Sequence, residues 1–244
     1  MKVTVEGPKI LYKIPLPWGD SIPFTETMRN GIIVVLVISL ICFFLGRKLS
    51  VKNPSKRQLA AEKLVLMLEG MVEGTMGKHN MFFVPYMGAL FAYSALSSLC
   101  GLFALRPPTG DINTTIAFAL VAFFLIQFFN IKNRGIGGWL KGFAEPVALL
   151  TPLNLVGEIA NPISMAFRHF GNIASGIVIS TLLYGALAAL SESLLGANAV
   201  PVFQIGIPAV LSLYFDIFTS FLQAYIVVML TMVYVGGANE AKSE

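Results

Sequence analysis

Apolar residues gather along this chain in runs that are long enough to cross a membrane as helices. The first predicted span, 30–49, contains the uncharged stretch GIIVVLVISLICFFLG. Two further runs, 81–105 and 113–131, are separated only by the link RPPTGD, which predicts a helical hairpin. Because a bilayer core about 30 Å thick is crossed by about 20 apolar helical residues, the pattern predicts an all-α polytopic membrane protein.

Two longer apolar stretches, 147–195 and 202–235, form the last part of the chain. At about 1.5 Å per residue the first would be about 70 Å long as one helix, more than twice the thickness of a bilayer core. It must therefore be strongly tilted or broken. Pro152 and Pro162 are candidate breaks, with Asn161 as the cap of a second piece. The chain then has about five to six helices, two of them long and tilted.

Two segments differ from the spans in pattern. Residues 1–29 are mixed and proline-rich, which predicts an irregular outer segment. Asn53-Pro54-Ser55 is a helix-start signal at the beginning of segment 54–79, and the apolar residues of this segment recur at helical spacing among charged ones. This favours an amphipathic helix on the cytoplasmic membrane surface over a solvent-exposed helix between domains. The single membrane domain 1–244 thus divides into 1–29, 30–49, 54–79, 81–131 and 146–236.

Composition and charge narrow the class of protein. The 244 residues are 56% hydrophobic and only 12% charged, against about 25% charged in a soluble domain. The net charge of +4 would suit nucleic-acid binding in a soluble protein, but here basic loops between spans account for it. Two cysteines lie inside apolar runs, and only two histidines occur. We therefore expect neither a disulfide nor a metal or other cofactor.

The distribution of basic residues predicts the orientation in the membrane. The loop 47–63 carries six Lys and Arg residues and the loop 132–141 carries three, whereas the link 106–111 carries one. Because basic loops stay on the cytoplasmic side, the N-terminus is predicted outside and the C-terminus inside the plasma membrane. The first apolar run is followed rather than preceded by Arg47 and Lys48, so a cleaved signal peptide is not expected.

Only four charged residues interrupt the chain from 146 to 237: Glu158, Arg168, Glu192 and Asp216. A charge at mid-membrane costs about 2.5–3.5 kcal/mol on insertion scales, so each needs a reason. Glu192 adjoins the polar link GANA and is interpreted as an interfacial acid. Glu158 is either interfacial or lines a water-filled inlet. Arg168 and Asp216 have no such explanation and are functional candidates.

Two polar faces with the same spacing lie on the last two helices. Their residues, at i, i+4 and i+7, are Arg168, Asn172 and Ser175 on one helix and Asp216, Ser220 and Gln223 on the other. Antiparallel helices would let the faces oppose each other, with Gln223 near the same depth as Arg168 and Asp216 about 10 Å further outward. A buried Arg–Asp pair that serves only packing is the simpler alternative. Small residues beside Arg168 allow close approach of a further helix, so an acidic partner from another subunit is expected.

The stretches FRHFGNIASG and FLQAYIVVMLTMVYV resemble subunit a of F-type rotary ATP synthases, and RPPTGDINTT and KNRGIGGWLKGF resemble its middle helices. The resemblance covers nearly the whole chain beyond the N-terminal segment. It implies that Arg168 is the stator arginine, facing the carboxylate of a rotating c-ring. It also implies that Asn172 and Gln223 are its polar neighbours and that Asp216 belongs to an outer half-channel.

The resemblance further implies a stator subunit that is not catalytic on its own. It would pass protons through two offset half-channels and work with a c-ring, a b-subunit peripheral stalk and an F1 head. This sequence departs from the family at two positions. Ile177 occupies a position that is often ionisable in the family, and His169 replaces a common leucine. We interpret His169 as a packing or polar support residue. Ser180 and Tyr184 would then support water beside Asp216. The predicted proton path comprises Asp216, Gln223, Asn172, Ser175, Glu158 and Asp111, the last of which can also cap the helix after it.

Two other functions are less consistent with the sequence. A secondary transporter could use Arg168 to bind an anion, but internal repeats and paired Gly/Pro breaks in both halves are not evident. An intramembrane enzyme could use Asp216 and Glu158, but a paired acidic motif or a nucleophile–base set is lacking. H⁺ and Na⁺ both stay open as coupling ion, since a c-ring would make most of that selection.

Overall fold

The computed structural model describes residues 7–15, 17, 19, 21–103, 105–145, 147–196, 202–204 and 213–240, and helices dominate it. The α-helices are α1 (Glu26–Gly46), α2 (Lys56–Met76), α3 (Val84–Leu99), α4 (Ile112–Gly142), α5 (Thr151–Leu195) and α6 (Thr219–Glu240). Short 3-10 turns Lys78–Phe83 and Cys100–Phe103 extend α3 at both ends. In the described part of the chain, five helical segments are long and apolar enough to span a membrane: Glu26–Gly46, Lys78–Phe103, Ile112–Gly142, Ala148–Leu195 and Thr219–Asn239. The all-α polytopic prediction is confirmed.

In the described part of the N-terminal segment, two strands form where its prolines had suggested irregular structure. Strand β1 (Ile10–Pro15) pairs antiparallel with β2 (Ser21–Thr25), and Tyr12 stacks on Phe24 with ring centroids 4.7 Å apart. In a two-stranded hairpin both strands are edges, where the missing N–H of a proline can face outward. Pro15 and Pro23 are therefore tolerated, and the prediction of an irregular segment was wrong.

The start of α1 is fastened to the link between α3 and α4. Thr25 caps α1 by accepting a hydrogen bond from the Met28 amide at 3.4 Å. Two residues on, Thr27 Oγ1 donates to Asp111 Oδ2 at 2.8 Å, and about one turn further Asn30 Nδ2 donates to the Arg106 carbonyl at 2.9 Å. We call this end of the bundle the link end and the opposite end, with the loop 47–55 and the basic segment 132–141 of α4, the basic end.

Helix α2 contributes to the interior as well as to the surface. It begins just after the predicted helix-start signal, and Ser55 caps it by accepting from the Gln58 amide. Its first half leaves Leu64 and Leu66 exposed, whereas Val72 and Met76 in the last turns are fully buried against α6. Gly236 of α6 lies so close to Met76 that an added Cβ would be 3.3 Å from the Met76 Cα. The helix is therefore anchored in the core by its second half.

The predicted basic loop 132–141 is helical. Helix α4 continues to Gly142 and is interrupted only at Gly135, whose φ of 71° and ψ of 166° are not helical. A positive φ costs little for glycine because it has no Cβ. The chain turns at this one residue and resumes helical turns, so the prediction of a loop was wrong.

The predicted break in α5 is absent. Thr151–Leu195 forms one helix of 45 residues, with Pro162 inside it and Pro152 in its first turn. A proline in the first turn removes an amide that has no helical partner anyway, and Pro162 forgoes a single bond to the carbonyl of residue 158. Asn161 is thus not a helix cap. At about 1.5 Å per residue, α5 is about 68 Å long, so tilt is the remaining way to fit a bilayer.

The core lies where α2, α3, α4 and α5 surround α6. Its larger buried members are Val72, Met76, Phe83, Met87, Phe129, Met165, Val228 and Met232. At the basic end, Asn133 Nδ2 donates to the carbonyls of Ala238 and Asn239, each at 3.1 Å. Asn239 in turn donates to Asn80. These amides fix the axial position of α6 against α4 and the start of α3.

Candidate functional site

Helix α5 presents two unlike sides at its middle. Arg168 is exposed, whereas the adjacent His169 is only 2% exposed and packs edge-on against Phe118 of α4. The His169 Nε2 lies 3.4 Å from Ser94 Oγ of α3. Because successive residues of a helix are turned by about 100°, α3 and α4 cover the histidine side and leave the arginine side bare. His169 is therefore a packing residue with a polar contact, as expected from its rotation.

The uncovered face of α5 has room for a neighbour at close range. Ser164, Arg168 and Ser175 on this face are all exposed. A Cβ added at Gly171 would meet nothing within 4 Å. Among the described residues, Arg168 has no hydrogen-bond acceptor and no acid within salt-bridge distance. The positive charge of Arg168, at the centre of an apolar helix, is thus available to pair with a group outside the described residues.

The two predicted polar faces touch. Asn172 Nδ2 donates a hydrogen bond to Gln223 Oε1 across the α5–α6 contact, at 3.1 Å. Gln223 and Ser220 are each 2% exposed. Ser175 stays on its own helix and donates to the Asn172 carbonyl at 3.0 Å. The Gln223 Nε2 is buried without a protein partner in the described structure, so one strong donor remains available inside this contact.

The register of α5 and α6 follows from two contacts. Asn172 meets Gln223, and the cavity beside Glu158 is also lined by Gly237. From Asn172 back to Glu158 is 14 residues of α5, and from Gln223 forward to Gly237 is 14 residues of α6. The two helices therefore run antiparallel, as predicted. Asn172 rather than Arg168 is level with Gln223. Arg168 lies one turn, about 6 Å, further toward the basic end.

Asp216 and Asp111 lie elsewhere in the fold. The backbone of Asp216 belongs to a π-helical segment, Leu213–Phe218, that leads into α6, and its side chain is outside the described structure. Asp111 caps α4: its Oδ1 accepts from the Asn113 amide at 3.1 Å, and its Oδ2 accepts from Thr27. Both carboxylate oxygens therefore hold helix starts together. The neighbouring Gly110 packs against Ile173 and Ile177 of α5.

Glu158 lines two adjoining cavities near the basic end of α5. One, of about 210 Å³, lies between α4, α5 and α6 and reaches Met165 and Tyr234. The other, of about 440 Å³, lies between α4 and the start of α5. Glu158, Asn130 and Asn161 line both. The carboxylate of Glu158 thus lies where the two cavities meet. Together the cavities form an inlet that leads from the basic end toward the helical turn that carries Arg168.

Sequence reasoning missed the residues of α4 that face this inlet. Gln127 Nε2 donates to Glu158 Oε1, and Trp139 Nε1 donates to Gln127 Oε1 at 2.9 Å. A signal was present, since Gln127 and Asn130 interrupt an apolar run at i and i+3 and so share a helix face. The contribution of Trp139 depends on the turn at Gly135 and could not be inferred from spacing.

The sequence of the chain also matches known proteins. The sequence profile of the family described as ATP synthase A chain matches residues 29–236. The chain belongs to this family. Its members are subunits of the membrane sector of ATP synthase and work together with the other subunits, and the spans of this chain make it a multi-pass membrane protein.

Three relatives show the extent of the similarity to the ATP synthase A chain family. The chain is 32% identical to the sodium ion specific ATP synthase subunit a of Propionigenium modestum, over 96% of this chain and 86% of the relative. It is 34% identical to ATP synthase subunit a of Desulforamulus reducens, over 88% and 80%. It is 32% identical to ATP synthase subunit a 2 of a Bradyrhizobium species, over 89% and 90%.

Proposed function

We propose that this chain is the stator that passes protons to and from a ring of c subunits through two offset half-channels, and thereby couples proton flow to rotation and ATP synthesis. The observation that carries the proposal is Arg168, exposed on a bare face of α5 and without an ion-pair partner in the described part of the chain. The open space at Gly171 would let a ring helix approach that face closely.

An arginine suits this role because a guanidinium is always charged in proteins. It can attract a deprotonated ring carboxylate but cannot hand on a proton. A fixed cation between two half-channels therefore pulls each ring carboxylate into place and also prevents a direct leak. Each proton that crosses the membrane supplies about 2.3 kcal/mol per 100 mV, which rotation carries to a distant F1 head.

The outer half-channel is proposed on the link-end side of Arg168, with Asp216 as its ionisable group. Asn172 and Gln223 form its inner limit beside the arginine. The buried Gln223 Nε2 can donate to a water or to a carboxylate that reaches this point. Ser175, exposed on the Arg168 face, adds a hydroxyl along the same route, and Asp111 supports the channel mouth through the α1–α4 contact.

The inner half-channel is proposed at Glu158, where two cavities meet. This favours the inlet reading of Glu158 over the interfacial one. Because the basic segments 47–55 and 132–141 lie at this end, the inner half-channel is assigned to the cytoplasmic side. The N-terminal hairpin is then outside, and the C-terminus is cytoplasmic.

Partners are proposed from the same geometry and from the relatives. The bare face of α5 would meet the c-ring, and the b-subunit peripheral stalk would hold the chain in place relative to the F1 head.

One relative is named sodium ion specific. ATP-driven uptake of ²²Na⁺ is therefore measured beside acidification, with proton coupling predicting acidification at full rate without added Na⁺.

The test uses vesicles that contain the assembled complex. Purification in mild detergent should co-isolate this chain with a small-subunit ring and a soluble ATPase. Arg168→Ala should then abolish ATP-driven acidification while insertion and assembly stay at wild-type levels, as checked by quantitative immunoblotting. Phe167→Ala, at the exposed neighbouring position, is the matched control. Wild-type acidification in Arg168→Ala would refute the stator role.

A further inference from the structure

Two consecutive hydrogen bonds connect Trp139 to the carboxylate of Glu158. The indole Nε1 of Trp139 donates to Gln127 Oε1 at 2.9 Å, and Gln127 Nε2 donates to Glu158 Oε1. An indole N–H is a donor only. It therefore fixes which end of the Gln127 amide faces the tryptophan, and the amide nitrogen is left to face Glu158. The carboxylate oxygen at this contact must be the acceptor.

Trp139 reaches Gln127 only because the chain turns back at Gly135. Twelve residues of uninterrupted helix would separate the two by about 18 Å along the axis. The positive φ of Gly135 breaks that line. We call the following segment, 136–145, the hook. It brings the indole over the residues that line the inlet.

Contacts at its far end hold the hook in place. Asn154 Nδ2, near the start of α5, donates to the carbonyls of Phe143 and Glu145, each at 2.9 Å. The Phe143 ring packs edge-on against the Trp139 indole, with centroids 5.2 Å apart. The indole is therefore held from two sides, and its position above Gln127 is a property of the fold rather than of one flexible side chain.

We propose that Trp139 and Gln127 are positioning residues for Glu158, which hold its carboxylate as an acceptor at the junction of the two cavities. This inference rests on the proposed function, in which Glu158 belongs to the inner half-channel. One oxygen of Glu158 is held by Gln127, which leaves the other without that bond in a carboxylate that lines both cavities together with Asn130 and Asn161. A carboxylate fixed in this way can take up and release a proton without first reorienting.

Loss of the indole donor has a specific consequence. Without it the Gln127 amide is free to turn over and present its carbonyl to Glu158. Two acceptors would then face each other, and the carboxylate would have to rotate away or bind a proton. The damage from Trp139→Phe is therefore transmitted through Glu158, although the aromatic ring and its packing on Phe143 remain.

The experiment measures passive proton conduction, and in parallel ATP-driven acidification, in vesicles with confirmed assembly. Trp139→Phe and Gln127→Leu should each lower conduction about three- to tenfold, the change expected for one lost hydrogen bond. Trp18→Phe, in the only other tryptophan of the chain, is the matched control and should leave conduction unchanged. Glu158→Gln should lower conduction at least as much as Trp139→Phe does.

The double variants decide between positioning and mere structural support. Adding Trp139→Phe or Gln127→Leu to Glu158→Gln should cause no further loss, because the carboxylate that they position is already gone. The inference would be overturned if the losses of the single variants multiplied in the double variants. It would also be overturned by wild-type conduction in Trp139→Phe or in Glu158→Gln. Arg168→Ala is measured in the same series. If it blocks transport while Trp139→Phe is neutral, only this inference fails; if it does not, the proposed function fails.

Discussion

Asn172 of α5 donates a hydrogen bond to Gln223 of α6 across 3.1 Å, and this contact joins the two polar faces of the chain. It lies one helical turn from Arg168 and seven residues along the chain from Asp216. The amide pair thus stands between the cation and the proposed outer half-channel. Four expected outcomes depend on this relationship and on the bare face beside it.

Cross-linking tests the contact directly. In a chain whose native Cys42 and Cys100 are replaced by serine, Asn172→Cys with Gln223→Cys should form a disulfide on mild oxidation, because the two side chains already meet. Asn172→Cys with Ser220→Cys should cross-link as well, since Ser220 lies one turn along the same face of α6. The readout is a mobility shift on non-reducing gels.

Phe167→Cys with Gln223→Cys is the control for that experiment. Phe167 is exposed on another side of α5, turned by about 140° from Asn172, so this pair should stay reduced under the same conditions. Equal cross-linking of all three pairs, or of none, would contradict the observed α5–α6 contact.

Exchanging the arginine and the glutamine tests whether the two faces share one site. Arg168→Gln should abolish pumping, because no fixed cation remains. Combined with Gln223→Arg, it should recover measurable ATP-driven acidification, since the side chain of an arginine at 223 can span the offset of about 6 Å. Recovery should stay below wild type because the cation is anchored on the other helix. A double variant as inactive as Arg168→Gln would show that the depth of the cation cannot shift by one turn.

Periodicity alone predicted that the polar faces of α5 and α6 touch, because residues at i, i+4 and i+7 share a helix face whatever surrounds them. It placed Gln223 level with Arg168, whereas the structure pairs Gln223 with Asn172, one turn away. The start of α2 after Asn53-Pro54-Ser55 and the Asp111 cap of α4 were predicted as well, because both depend on residues next to each other in sequence. These features are local, or follow from two helices being antiparallel. They needed no knowledge of how the chain folds back on itself.

The features that escaped prediction depend on single backbone states or on distant partners. Gly135 could have continued α4, ended it or, as observed, reversed it at positive φ. Pro162 is a helix breaker by itself, yet packing against α4 and α6 keeps α5 continuous through it. The Trp139–Gln127 bond and the Tyr12–Phe24 stack both exist only after a reversal of the chain.

Asp216 is expected to limit proton entry from the link-end side. Asp216→Asn removes the ionisable group proposed for the outer half-channel and should slow passive proton conduction through vesicles stripped of the ATPase head. Asp216→Glu should keep partial conduction because it restores a carboxylate. Glu192→Gln, which alters an exposed acid of α5 close to its end, is the matched control. Full conduction in Asp216→Asn would place the outer half-channel elsewhere.

Gly171 tests whether the bare face of α5 meets a partner. Since an added Cβ there would touch nothing in the described chain, Gly171→Ala should not disturb this fold. It should even favour the helix by about 0.5–1 kcal/mol, as glycine weakens helix interiors. If a ring helix approaches this face closely, Gly171→Ala should nevertheless lower ATP-driven acidification, and Gly171→Leu should abolish it with the chain still inserted. Gly74→Ala and Gly74→Leu are the matched controls, because Gly74 of α2 also faces open space and lies on a different helix. Acidification is compared at equal amounts of assembled complex, and thermal unfolding of the purified complex is followed in parallel.

A loss of acidification that grows with side-chain size at Gly171, without a lower unfolding temperature and without an effect at Gly74, is the pattern that close contact with a partner requires. Equal activity in Gly171→Leu and wild type would mean that this face is not covered at close range, and the approach of the ring to Arg168 would have to follow another side of α5.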